Sequence, residues 1–168
     1  MNRSPVTIAV LVSGNGSNFQ AIVDAIEAGR ISNARIACLI SNKADAYALE
    51  RASKHNITSI VLDHKAYPNR QAYDTALVEL LRQHGVQLVI LAGFMRLLSP
   101  TMIDAFPNAI MNIHPALLPA FPGLDAQQQA FEYGVRYTGC TVRFVDSGTD
   151  TGPIILQEIG RASCRERG

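Results

Sequence analysis

Short apolar runs alternate along the chain with stretches of helical spacing. Residues 7–12 (TIAVLV) are continuously apolar and rich in β-branched side chains, the pattern of a buried strand. Residues 18–28 place Phe19, Ile22, Val23 and Ile26 on one helical face, and Gly29 ends the period. The alternation continues with strands predicted over 34–40, 57–62 and 87–91, and helices over 44–54 and 70–84, the second closed by Gly85. A short helix over 100–105 leads to a strand over 109–113. A helix over 127–133 stops at Gly134, and strands over 140–145 and 153–156 complete the series. Strands separated by helices imply right-handed crossovers and a mostly parallel sheet covered on both faces. The expected class is α/β, a three-layer αβα, Rossmann-like architecture. The sequence has no repeat, linker or low-complexity segment, so residues 1–158 read as a single domain.

Composition narrows the function classes. With 48% hydrophobic and 17% charged residues and a net charge of +1, the chain is neither disordered overall nor a basic nucleic-acid binder. The longest uncharged apolar run, 88–95, is too short to span a bilayer. The opening MNRSPVTIAV has no signal-peptide core. Cys38, Cys140 and Cys164 lack metal-ligand spacing, and the first two sit in strand-like runs. The expectation is a reduced, cytoplasmic protein with small-molecule partners, no nucleic acid and no membrane, as a monomer or homodimer. Residues 159–168 (IGRASCRERG) stand apart, since they have no apolar period and resemble the in-frame translation of a common sequencing adapter. They are expected to be a non-native tail, with the natural sequence departing near Gln157 or Glu158. Without them the balance is 12 basic to 13 acidic residues, so the small positive charge says nothing about partners.

In sheets of this class, chemistry gathers in loops beyond the carboxyl ends of the strands. Ser13-Gly-Asn-Gly-Ser-Asn18 joins the first strand to the first helix, where free amides and the helix dipole favour an anion. Ser17 and Asn18 are suited to cap that helix. The loop lacks the Gly-Lys-Ser/Thr of a nucleotide-triphosphate loop, and Phe19 stands where a dinucleotide fingerprint needs its third glycine. A phosphate monoester site and an unliganded tight turn both remain open. Residues 92–99 (AGFMRLLS) offer an apolar wall with Arg96 as the lone charge, or equally a cover for the core. Residues 112–123 (NIHPALLPAFPG) put Asn112 and His114 on one side of an extended segment. There an imidazole and a carboxamide are able to serve proton transfer and oxyanion stabilisation. Three prolines stiffen this loop, and Leu118–Pro119 is a candidate cis bond. Residues 146–153 (DSGTDTGP) hold Asp150, either a turn residue or a carboxylate that orients His114.

These segments carry a family resemblance. SGNGSN, NKADA at 42–46, LAGFMRLLSP at 91–100, NIHPALLPAFPGL at 112–124 and DTGPIILQ at 150–157 occur in one order. Over residues 7–157 the chain closely resembles the phosphoribosylglycinamide formyltransferases, a branch of the folate-dependent formyltransferase family. The resemblance implies a formyltransferase-type α/β fold with one antiparallel strand near the C-terminal edge. It implies formyl transfer from 10-formyltetrahydrofolate to the amine of 5-phosphoribosylglycinamide in purine synthesis, without a metal. Asn112, His114 and Asp150 match the family's catalytic trio. Gly16, Ser17 and Asn18 match its substrate phosphate loop. Arg70, Met95, Arg96, Leu97, Leu98, Asn112, Asp146, Ser147, Gly148, Thr149 and Asp150 match its folate site. The family continues for some tens of residues past the position of Gln157, with a long helix and further substrate contacts. Ala116, Asp125 and Arg143 stand where the family commonly has Ser, His and His, and these departures are expected to leave the trio untouched. Another formyl-group enzyme, such as a formyltetrahydrofolate hydrolase, and an inactive folate- or nucleotide-binding fragment are the alternatives.

Overall fold

The computed structural model describes residues 4–161. Its elements run β1 (Val6–Val12), α1 (Ser17–Glu27), β2 (Ala34–Ser41), α2 (Ala48–Lys54), β3 (Ser59–Val61), a 3-10 turn (His64–Ala66), α3 (Arg70–Gln83), β4 (Leu88–Leu91), α4 (Pro100–Ala105), β5 (Ile110–His114), α5 (Ala126–Tyr133), β6 (Tyr137–Phe144) and β7 (Ile154–Arg161). The class is α/β, as the alternation predicts. β1 pairs in parallel with β2 and β4, and β2 with β3, while β6 runs antiparallel to both β5 and β7. The chain divides into two compact units, Met1–Ile110 and Met111–Gly168.

Within the first unit, β1 is buried from Thr7 to Val12, which explains its unbroken apolar run. Val10 and Val12 of β1, Leu39 of β2, Phe19 and Val23 of α1, and Ala48 and Ala52 of α2 form one core cluster with Ala92. Small residues on α2 let it lie close to its neighbours. Phe19 is fully buried there, so Phe19→Ala removes about 3–5 kcal/mol. α3 starts with its Asn69 carboxamide accepting from the Ala72 amide at 2.9 Å. α2 is shorter than predicted, because residues 44–47 form turns rather than helix. Ser41 Oγ donates to the Lys43 carbonyl at 2.8 Å and accepts from the Lys43 amide at 3.1 Å. Such local bonds compete with helix formation. β3 keeps only three residues of the predicted six.

In the second unit, β6 starts at Tyr137, three residues earlier than predicted, and β7 reaches Arg161. Ile159 and Gly160 continue the strand opposite Gly139 and Thr138, so the boundary expected at residue 158 falls inside β7. The rest of the expected tail, 162–168, lies outside the described residues. Thr141 on β6 fastens the loop after β5: its hydroxyl donates to the Ala116 carbonyl at 2.7 Å and accepts from the Leu118 amide at 3.1 Å. Gln157 of β7 adds a bond to the Leu118 carbonyl at 2.9 Å. The Leu118–Pro119 peptide is cis, as the sequence predicts.

Candidate functional site

The first unit carries the loops matched to phosphate and folate binding. Gly16 is the N-cap of α1 with φ 75°, and no side chain caps the helix. Ser17 and Asn18 are therefore not caps, in contrast to the sequence expectation. They are the first two helical residues, whose amides have no intrahelical partner. Gly16 has a structural reason of its own, since a Cβ there would lie 2.5 Å from the Cβ of Ala48. Arg51 of α2 brings a positive charge to this loop. Its Nε donates to the Asn15 carbonyl at 2.9 Å and its Nη2 to Asn15 Oδ1 at 2.8 Å. Sequence reasoning passed over Arg51, because only the fold brings it beside a residue 36 positions away.

The loop after β4 is tied down at both ends. Ser13 donates its amide to the Gly93 carbonyl at 3.1 Å and accepts the Met95 amide on Oγ at 2.9 Å. The same hydroxyl donates to Asn42 Oδ1 at 2.6 Å, which brings in the NKADA segment. At the far end, buried Asp74 accepts the Ser99 amide. The Arg96 guanidinium lies 5.1 Å from the centre of the Tyr73 ring. Burial and neighbouring negative groups push the Tyr73 hydroxyl far above its usual range, so it stays neutral. So anchored, the loop leaves Met95 and Leu97 68% and 62% exposed, while Leu98 is half-buried. Arg70 is exposed at the first turn of α3.

The second unit holds the residues that the resemblance assigns to the trio. Asn112 and His114 lie on one face of β5, paired across the strands with Arg143 and Thr141 of β6. His114 is 4% exposed. Its Nε2 donates to the Phe121 carbonyl at 2.8 Å, and its Nδ1 lies 3.5 Å from Asp150 Oδ2. Both partners are acceptors, so a ring carrying two protons satisfies both. Asp150 Oδ2 also accepts the Gly123 amide at 2.8 Å, and Oδ1 accepts from Arg143 Nη2 at 2.7 Å. Burial alone would raise the Asp150 pKa, but the Gly123 amide, the Arg143 hydrogen bond and the charges of His114 and Arg143 hold it below the usual carboxylate value.

His114 and Asp150 are thus in contact. The Asn112 carboxamide makes no hydrogen bond among the described residues and remains able to donate. Asp146 closes a turn, accepting from the Gly148 amide at 3.1 Å and the Thr151 hydroxyl at 2.8 Å, while Ser147, Gly148 and Thr149 are exposed. The expectation that Arg143 leaves the trio untouched is overturned, because its guanidinium bonds directly to Asp150. A lone charge inside the apolar run of β6 was the signal in the sequence. Cys38 is buried, which pushes its thiol up to about 11 and makes it an inert core residue.

A buried His–Asp pair stands at a strand end beside a carboxamide without a hydrogen-bond partner among the described residues, and comparison with known proteins gives the class. The formyl transferase family model matches residues 6–163, and the chain belongs to this family. Phosphoribosylglycinamide formyltransferase of Bacillus subtilis is 49% identical over 150 residues, which are 89% of this chain and 76% of that protein. The trifunctional purine biosynthetic protein adenosine-3 of Chironomus tentans is 46% identical over 153 residues, 90% of this chain but only 11% of that protein. The solved structure of glycinamide ribonucleotide transformylase 1 from Symbiobacterium toebii superposes with a TM-score of 0.91 at 55% identity, covering 94% of this chain and 74% of that one. Among the described residues, no helix is long and apolar enough to cross a membrane.

Proposed function

We propose that this protein transfers a formyl group from 10-formyltetrahydrofolate to the amine of 5-phosphoribosylglycinamide, a step of purine nucleotide synthesis. The observation that carries the reading is the buried His114–Asp150 pair on the strand that also presents Asn112. Its relatives' names supply the phosphoribosylglycinamide and the formyl transfer, and the folate donor is the one that the sequence resemblance implies.

The site's own groups suit the reaction. The substrate amine attacks the formyl carbon, the carbonyl electrons move onto oxygen, and a tetrahedral oxyanion forms. Asn112 donates a hydrogen bond to that oxygen, and protonated His114 places a positive charge near it, the usual source of large rate effects. Asp150 orients the ring through Nδ1. When the carbon–N10 bond breaks, N10 takes up one proton, the amine gives up one, and the two transfers balance. His114 must exchange its bond to the Phe121 carbonyl for one to substrate, since Nε2 is otherwise occupied.

The phosphate of the substrate is assigned to the amides of Gly16, Ser17 and Asn18, with the Arg51 charge nearby favouring an anion. Arg70, Met95, Arg96, Leu97 and Leu98, together with Asn112 and Asp146, Ser147, Gly148, Thr149 and Asp150, are assigned to the folate. No metal takes part in this scheme. A cytoplasmic location and a monomeric or dimeric state complete the reading.

The test is to titrate 10-formyltetrahydrofolate and 5-phosphoribosylglycinamide separately, then together, and to follow appearance of the formylated amine. Binding of both with transfer supports the proposal. Release of formate without the amine substrate points instead to a hydrolase, and binding without turnover points to a binding fragment.

A further inference from the structure

Arg143 is 4% exposed, and a guanidinium is costly to bury unless its donors find partners. Nη2 donates to Asp150 Oδ1 at 2.7 Å and Nη1 to the Phe144 carbonyl at 3.1 Å. Nε is buried and has no partner among the described residues. Arg143 stands directly opposite Asn112 in the β5–β6 register, so the two side chains leave the sheet on the same face. Gly152 makes room for this arrangement: a Cβ there would lie 1.9 Å from the Phe144 carbonyl oxygen and 3.2 Å from Arg143 Nη1.

We propose that Arg143 is a positioning residue of the site, clamping Asp150 through Oδ1 so that Oδ2 is held for His114 and the Gly123 amide. The inference rests on the formyl-transfer reading given above. A carboxylate bound at one oxygen only is free to turn about its terminal torsion. Here each oxygen has its own donor, and the orientation toward the imidazole is fixed. The ionisable groups acting on Asp150 are His114 from β5 and Arg143 from β6. Removing Arg143 takes away a hydrogen bond and a positive charge that both favour the ionised carboxylate, so Asp150 then takes up its proton at higher pH.

The experiment uses the 168-residue chain, as wild type, Arg143→Gln and Arg143→Lys. The side-chain carboxyl carbon of Asp150 is titrated by NMR, and the pH profile of formyl transfer is measured alongside. Arg143→Gln is expected to raise the Asp150 midpoint by about one pH unit. It should move the acid limb of kcat the same way, lower kcat about tenfold at neutral pH, and leave both KM values within about twofold. Arg143→Lys keeps the charge but not the fork, so its midpoint should stay near wild type while kcat falls severalfold. An unchanged midpoint in Arg143→Gln, or wild-type kcat in Arg143→Lys, overturns the clamp. Should Arg143→Gln fail to fold in a thermal melt, the Lys variant decides alone by its kcat. If wild type transfers no formyl group, the functional reading fails, while the carboxyl titration still decides the clamp.

Discussion

The two units arrange their polar groups differently. In Met1–Ile110 the candidate binding loops are fastened at separate points, by Ser13 to Asn42 and Met95, Asp74 to the Ser99 amide and Arg51 to Asn15, and they leave backbone amides and apolar side chains open. In Met111–Gly168 three ionisable groups, His114, Asp150 and Arg143, are packed together out of water. On the proposed function, the difference follows from what each has to do. A binding surface needs rigidity without losing access, which scattered anchors below the surface provide. An acid–base cluster needs strong, short-range electrostatics, which a water-poor setting provides at a desolvation cost. The sharpest way to break this contrast is to remove the imidazole. His114→Ala is expected to slow formyl transfer by about 10²–10⁴-fold, in the range of a lost general acid–base group, while binding of the phosphorylated amine persists. Single-turnover kinetics beside a binding titration check it, and near-normal transfer would remove His114 from the chemistry.

Stability measurements sharpen the same contrast. Asp150→Ala strips the partner from a buried guanidinium and should cost about 3–5 kcal/mol in urea unfolding. Glu27→Ala breaks the first unit's His55–Glu27 hydrogen bond, whose acidic side chain is 56% exposed, and should cost less than about 1 kcal/mol. The pH dependence has a definite sign. The folded-state pKa of Asp150 lies below its ordinary value of 3.8, so its contribution is fully present above that value. It is lost as pH falls through the lowered folded value. The stability gap between wild type and Asp150→Asn should therefore narrow on acidification below about pH 4. A constant gap down to pH 2 would mean that Asp150 acts through packing rather than charge.

Much of this was legible in the order of residues. The apolar runs announced every strand, and Asn112 and His114, two apart in an extended segment, announced a shared face. What sequence could not show is how side chains far apart in the chain meet. Arg143 read as one departure in a strand, yet the antiparallel register sets it opposite Asn112 and against Asp150. Arg51 carried no signal in its helix, yet the packing of α2 on the first loop brings it to Asn15. Residues 44–47 read as the start of a helix over 44–54, but α2 begins only at Ala48, after the turn in which Ser41 and Lys43 bond to each other. Strand ends were misplaced for a similar reason: β6 and β7 extend each other by pairing, which no local pattern records.

A third measurement separates fold from ligand in the first loop. Gly16 sits at φ 75° against Ala48, so Gly16→Ala should destabilise the fold by about 1–3 kcal/mol before any ligand is added. Gly14 has open space around it, so Gly14→Ala should keep stability within about 0.5 kcal/mol. If the loop holds the substrate phosphate, Gly14→Ala weakens that substrate and not the folate. Thermal melts and separate titrations check both variants, and equal weakening of both ligands would assign the loop to folding alone.

The smallest effects are expected at the apolar wall. Met95 and Leu97 are largely exposed, so truncating either to Ala deletes little buried area and should change stability by less than about 0.5 kcal/mol. Their loop owes its shape to bonds that these side chains do not make: the Met95 amide to Ser13 Oγ, the Ser99 amide to Asp74, and Arg96 over Tyr73. The truncated loop therefore keeps its path. If a flat pteridine ring rests on this wall, each truncation removes contact with the ligand only. Burying a side chain of this size contributes about 1–2 kcal/mol, so folate affinity should fall roughly five- to thirtyfold while the phosphorylated amine binds as before. Ser13→Ala gives the complementary case, because it frees the Met95 amide without touching the apolar surface. It should weaken folate through loss of loop order and reduce stability as well, since the buried Asn42 Oδ1 loses its donor. Isothermal titration of 10-formyltetrahydrofolate against the three variants, read beside their melting curves, distinguishes a wall that touches ligand from one that merely covers the core. Unchanged folate affinity in both Met95→Ala and Leu97→Ala would leave the segment with the second role.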